Sequence, residues 1–188
     1  PKSSETDQRE WEWHWLNSLA QRACIQLEIP THVWEVQFSP DEQHLCFVTH
    51  SQAVVVTWPS LQQPRVLELE NYWQRAARFS PDGSLLAMGS GKNSLYIWDW
   101  ANQNVVQEFQ MNTELLHPEA ICWSPDGQLL LVQLNDFGTP AEGRLNIYQT
   151  SDWGLVTTVE NNNRNFVNQF SFKPDGKQIA ICGVGDGG

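Results

Sequence analysis

The feature that most narrows what this chain can fold into is a short phrase that occurs four times. It reads Phe38-Ser39-Pro40-Asp41, then Phe79-Ser80-Pro81-Asp82-Gly83, then Trp123-Ser124-Pro125-Asp126-Gly127, then Phe172-Lys173-Pro174-Asp175-Gly176. The aspartates stand 41, 44 and 49 residues apart. A period in this range is the signature of a repeat architecture, in which no unit buries its apolar faces alone.

Aligned on the aspartate, the units share more than the turn. Two residues before the aromatic comes an apolar residue, Val36, Ala77, Ile121 or Phe170. Four and five residues after the Asp come Leu45-Cys46, Leu86-Ala87, Leu130-Leu131 and Ile179-Ala180. Proline presets the turn backbone, and Asp and Gly supply the geometry that follows, so each unit predicts strand, turn, strand. In the first three units an aromatic closes a third strand at Trp58, Trp98 and Tyr148. Val66, Val106 and Val156, with Leu69, Phe109 and Val159 after them, mark a fourth. The third unit carries an exposed insertion around Asp136–Gly143, rich in Gly, Pro and charge.

The prediction is an all-β chain of four-stranded antiparallel meanders packed face to face as the blades of a β-propeller. About three and a half blades are expected, near residues 30–70, 71–112 and 115–160, with a half blade at 164–188. Residues 22–188 form this partial propeller. Arg22–Ile29 reads as the outer strand of another blade. Residues 1–21 form a lead-in. Its alternating Trp11, Trp13 and Trp15 argue strand, while Asp7 three residues before Glu10, with Leu16, Leu19 and Ala20, argues a short helix, the favoured reading.

The turn phrase and the Trp98-Asp99 pair resemble the tryptophan–aspartate (WD) repeat family of β-propellers, over roughly residues 22–182. Departures are clear. Ile29, Glu70, Glu114 and Asn163 stand where the family has its Gly-His pair, and Lys92 falls near the place of a loop aspartate. The buried Asp-His-Ser/Thr-Trp network of the family is therefore not expected, and apolar and aromatic packing must hold the blades. Further blades or a second copy are needed to close a ring; otherwise an apolar wall and strand edges stay open.

Composition removes several function classes. With 11 Lys and Arg against 22 Asp and Glu, the formal net charge is −11, which repels phosphate backbones and anionic membranes. Neither nucleic acid nor membrane is an expected partner. Cys24, Cys46, Cys122 and Cys182 are far apart and form no metal or disulfide pattern, which points to reduced thiols and a cytoplasmic setting. No long apolar run or leader pattern is present. Histidines 14, 32, 44, 50 and 117 show no metal spacing, so neither metal nor cofactor is expected. The Gly183–Gly188 tail fits GxGxxG, but a dinucleotide cradle needs a following helix and a βαβ unit, so it reads as a turn. Asp41, Asp82, Asp126 and Asp175 read as turn holders rather than acid–base groups, and Trp58, Trp98 and Tyr148 as blade core.

Function in such a frame belongs on loops. The resemblance implies partner docking on the face built by the segments entering each first strand and those between second and third strands. The first set holds His32 and Trp34, Trp73 and Arg75, His117 and Glu119, and Phe166 and Asn168. The second holds His50 and Gln52, Lys92 and Asn93, and Asp136 and Phe137. The predicted partner-binding residues are Trp34, Trp73, Arg75, Lys92, Asn93, Glu119, Asp136 and Phe137. Trp73 beside Tyr72 and Arg75 is the foremost anchor, with packing between blades as its other reading. The expected function is a non-catalytic protein-interaction scaffold with other proteins as partners. Two alternatives stay open: a regulatory or gating module of a larger enzyme, since the turn also resembles TolB-like and prolyl-oligopeptidase-type propellers, or a propeller that binds a small ligand in its channel.

Overall fold

Each turn phrase forms a hairpin tip, and the mechanism is the same every time. In a computed structural model of the chain, which describes residues 14–15, 32–68, 76–90, 94–111, 116–136, 143–161 and 166–184, the serine hydroxyl is the hub. Ser80 Oγ donates to Asp82 Oδ1 at 2.6 Å and accepts from Leu85 N–H at 2.9 Å. Ser124 does the same with Asp126 (2.6 Å) and Leu129 (2.8 Å), and Ser39 with Asp41 and His44. The Asp carboxylate also takes a backbone N–H two residues on: Gln43, Ser84, Gln128 and Lys177 in turn. In the fourth turn Lys173 replaces the serine and reaches Asp175 as an ion pair at 3.0 Å. The serine bond is the largest cause holding Asp41, Asp82 and Asp126 below the ordinary carboxylate range. The aspartates therefore serve the turn, as the sequence implied.

These tips join β1 (Val33–Phe38) to β2 (His44–Thr49), β5 (Ala77–Phe79) to β6 (Leu86–Ser90), β9 (Leu116–Trp123) to β10 (Leu129–Asp136) and β13 (Phe166–Phe172) to β14 (Ile179–Val184). β3 (Gln52–Thr57) and β4 (Arg65–Glu68), β7 (Ser94–Asp99) and β8 (Asn104–Gln110), and β11 (Gly143–Gln149) and β12 (Leu155–Asn161) complete three sheets. Strand order is sequential in all three, and β13–β14 form a two-stranded fourth sheet. All pairings are antiparallel. This is the all-β blade architecture expected, and among the described residues the sheets follow one another without closing into a ring. The chain divides into two units, Pro1–Pro30 and Thr31–Gly188. Of the first, only His14 and Trp15 are described, both helical. The strand expected at Arg22–Ile29 and most of the helix expected before it lie outside the described residues.

The core lies between sheets. Cys46, Val48, Ala53 and Val55 of the first sheet meet Phe79, Leu86, Met88 and Trp98 of the second. Leu95 and Ile97 meet Ile121, Leu130, Val132 and Tyr148 of the third, and Ala120, Leu131 and Leu145 meet Phe170. Trp98 is wholly buried and Tyr148 nearly so, whereas Trp58 is half-buried beside Phe38, at 5.1 Å between rings. Trp98 Nε1 is buried with no hydrogen-bond partner. An orphan donor of this kind costs about 1–3 kcal/mol, and its presence agrees with the missing polar network.

Polar ties also cross between sheets. Gln37 Oε1 accepts from Phe79 N–H at 3.1 Å, Arg78 pairs with Glu35, and Trp123 Nε1 donates to the Arg78 carbonyl at 2.9 Å. One position of the repeat differs from its counterparts. Val36 occupies the same place as Ala77, Ile121 and Phe170, which are buried, yet it is 57% exposed. Glu35 and Gln37 point at the second sheet, so Val36 and Phe38 project from the opposite side of the first.

Two local details set the packing. Gly83, Gly127 and Gly176 have φ of 75°, 71° and 70°, a region that suits glycine, and each packs on the proline of the preceding turn. In the first turn Glu42 takes this place at φ 59°. Second, a Cβ on Gly89 would lie 2.7 Å from Pro118 Cβ and 2.8 Å from its carbonyl oxygen. Only glycine lets β6 approach β9 so closely.

Glu42→Gly should stabilise the chain by about 1 kcal/mol, while Gly83→Ala should destabilise it by about the same amount. Opposite shifts in melting temperature would show this; equal shifts would refute it. Gly89→Ala should cost about 1–3 kcal/mol by forcing the second and third sheets apart. An unchanged melting temperature would contradict that close approach.

Candidate interaction surface

The first strands share an irregularity at the end away from the turn phrase. In β1, Val33 pairs with Thr49 and Glu35 with Val48, so Trp34 is skipped. In β9, Pro118 pairs with Leu134 and Ala120 with Gln133, so Glu119 is skipped. In β13, Val167 pairs with Gly183 and Gln169 with Cys182, so Asn168 is skipped. All three lie four residues before the turn aromatic. Each is a β-bulge, in which two residues of the first strand stand against one of its partner strand. Arg75 holds the corresponding place in the second unit and lies outside the described residues.

The sequence placed Trp34, Glu119 and Asn168 in segments leading into strands. They stand on the strands themselves, because pairing continues past the bulge. The signal was their shared offset from the turn. Alternation alone cannot show a bulge, since the extra residue breaks the period of two.

Trp34 is the best-defined member of the set. It is 39% exposed and packs against two imidazoles. His50, in the β2–β3 connection, stacks on it with ring centroids 6.1 Å apart and planes 27° apart, and Trp34 Nε1 lies 3.4 Å from His50 Nδ1. The His32 ring also lies beside it, with centroids 6.4 Å apart and planes tilted by 36°. The structure thus brings the start of the first strand and the second-to-third connection of one blade into contact. Glu119 is half-buried on β9, and Asp136 ends β10 opposite Leu116. Trp73, Arg75, Lys92, Asn93 and Phe137 fall outside the described residues.

Other chemistry is thin among the described residues. No group of three or more His, Cys, Asp or Glu side chains is placed to hold a metal ion, and no helix is long and apolar enough to cross a membrane. Cys46 and Cys122 are free thiols. Burial, and then the Glu35 charge, push the Cys46 thiol up to about 12. Cys122 is half-buried and also raised, burial being the larger cause. Since the thiolate is the nucleophile, neither is poised for catalysis.

Residues 66–99 match the WD domain, G-beta repeat family. This stretch contains the second turn phrase and Trp98-Asp99. No curated protein matches the sequence significantly. Among solved structures, a chain of the Kuenenia stuttgartiensis hydrazine synthase is similar, with a TM-score of 0.69 and 16% identity. The match covers 85% of this chain and 44% of that one, so this chain spans less than half its length. At that identity the likeness concerns fold alone. Matches to 1078 solved chains mean that the fold does not select a function.

Cys46 should resist iodoacetamide at pH 8 in the folded chain and react on unfolding in denaturant, as read by peptide mass spectrometry. Rapid labelling of native Cys46 would refute its buried, high-pKa state.

Proposed function

We propose that this chain, which carries a divergent WD repeat within propeller blades, is a non-catalytic interaction scaffold that docks other proteins on its bulged strand ends. The observation that carries this reading is the bulge position itself. Trp34, Glu119 and Asn168 depart from the ladder at the same point of their blades, and Arg75 aligns with them. Residues at this place differ in chemistry from blade to blade while the ladder around them repeats. That combination lets a rigid frame present a varied surface. Trp34, Trp73 and Arg75 are the residue types that anchor interfaces, with Glu119, Lys92, Asn93, Asp136 and Phe137 around them.

Other observations support the reading. The turn aspartates hold their turns through backbone N–H groups and a serine, or Lys173 at Asp175, and Asp41, Asp82 and Asp126 are held below the ordinary carboxylate range, which suits a structural rather than an acid–base role. The free thiols at Cys46 and Cys122 suit a reducing compartment, the basis for placing the protein in the cytoplasm. The side of the first sheet that carries Val36 and Phe38 remains 57% and 47% exposed at those residues. Further blades or a second copy would cover that side and complete a ring.

Trp34→Ala, and separately Trp73→Ala with Arg75→Ala, should weaken binding to a captured protein partner at least tenfold, about 1.4 kcal/mol or more. Melting temperatures should stay within a few degrees of the parent. Affinity unchanged in both variants would sink the surface. A collapse in melting temperature would show that these side chains support the fold instead.

A further inference from the structure

The gap between neighbouring turn phrases is filled in one place and hollow in the next. Between the first and second sheets, Trp100 fills it. Its indole packs on His44 across the gap, 4.6 Å between rings, and edge-on to Phe79 at 6.2 Å, while Nε1 donates to the Gly83 carbonyl at 2.9 Å. Thr150 holds the same place in the third sheet, two residues after the closing aromatic. It keeps the bond, Oγ1 donating to the Gly127 carbonyl at 2.7 Å, but not the bulk. A cavity of about 470 Å³ opens there between the second and third sheets.

The aromatic lost from that place reappears three residues later. Gln63 and Gln103 occupy the left-handed position of the turn between third and fourth strands in the first two sheets; Trp153 occupies it in the third, at φ 60°. Trp153 packs edge-on to Trp123 and Phe109, each at 6.2 Å, and forms an aromatic wall of the cavity with Trp123. Asp82 and Asp126 line the same space. Asp126 takes its turn bonds from Ser124 and Gln128 on Oδ1. Both carboxylates are held below the ordinary range, so they are ionised at neutral pH. Among the described residues no lysine or arginine lines the cavity, and the chain as a whole carries a formal charge of −11.

We propose that this hollow is a seat for one arginine side chain from a basic segment of a protein partner. The guanidinium would lie on the face of Trp153, where cation–π attraction operates, and reach Asp82 and Asp126 with its fork of N–H donors. The site lies at the turn-phrase end of the sheets, opposite Trp34, and does not depend on docking at the bulged end.

The test uses the full 188-residue chain and the tripeptide acetyl-Gly-Arg-Gly-amide, with the Trp indole N–H signals read by NMR. The arginine peptide should shift the Trp123 and Trp153 signals saturably, and added salt should weaken the effect. The citrulline peptide, a neutral isostere, should bind at least tenfold more weakly. Thr150→Trp, which supplies the bulk that Trp100 supplies next door, should abolish the shift and leave the melting temperature intact. If that variant does not fold, Trp153→Gln, the residue found at the two equivalent positions, should weaken binding at least fivefold. Absence of a saturable shift, equal shifts with citrulline, or full binding by a folded filled-cavity variant would each overturn the proposal.

Discussion

One hydroxyl in each of three turns sets the geometry on which this structure depends. Ser39, Ser80 and Ser124 each donate to an aspartate and accept a backbone N–H five residues on. That pair of hydrogen bonds locks the hairpin tip, and the tip locks the register of the first two strands. A slip of one residue would turn every core side chain outward. Lys173 shows what the phrase requires. An ammonium can hold the aspartate by charge, but it cannot accept the N–H that serine takes. The tips also stack, glycine on the preceding proline, so the element that fixes each hairpin also spaces the sheets.

Packing between sheets holds the blades where the resembled family is expected to use a polar network. Trp98 sits wholly buried with its indole N–H unpaired, so it contributes as an apolar body. Specific polar ties cross between sheets, among them Phe79 N–H to Gln37 and Trp123 Nε1 to the Arg78 carbonyl. The close approach of Gly89 to Pro118 belongs to the same design, because a core of interleaved aromatics and branched residues needs sheets held at a fixed spacing.

Identical frames with unlike fillings produce the two surfaces of interest. At one end the bulges shift the strand register at Trp34, Glu119 and Asn168. At the other, exchanging Trp100 for Thr150 and Gln103 for Trp153 converts a packed gap into an aromatic-walled, acidic hollow. Repetition makes such comparisons informative. A departure at one position of one blade can be measured against its counterparts within the same chain.

The sequence by itself determined the repeat, the antiparallel strand order and the turn role of the aspartates, because these rest on local chemistry: proline's fixed backbone, short-range Asp and Ser bonds, and a period of two. Trp98 and Tyr148 were legible as core for the same reason. Tertiary structure decided what depends on neighbours. Val36 looks like Ala77 and Ile121 in sequence, yet it is exposed because it projects away from the second sheet. Trp34 and Glu119 were found by offset from the turn, but their place on bulged strands depends on pairing with β2 and β10. The hollow beside Thr150 was invisible, because an empty space is defined by the side chains of two sheets at once.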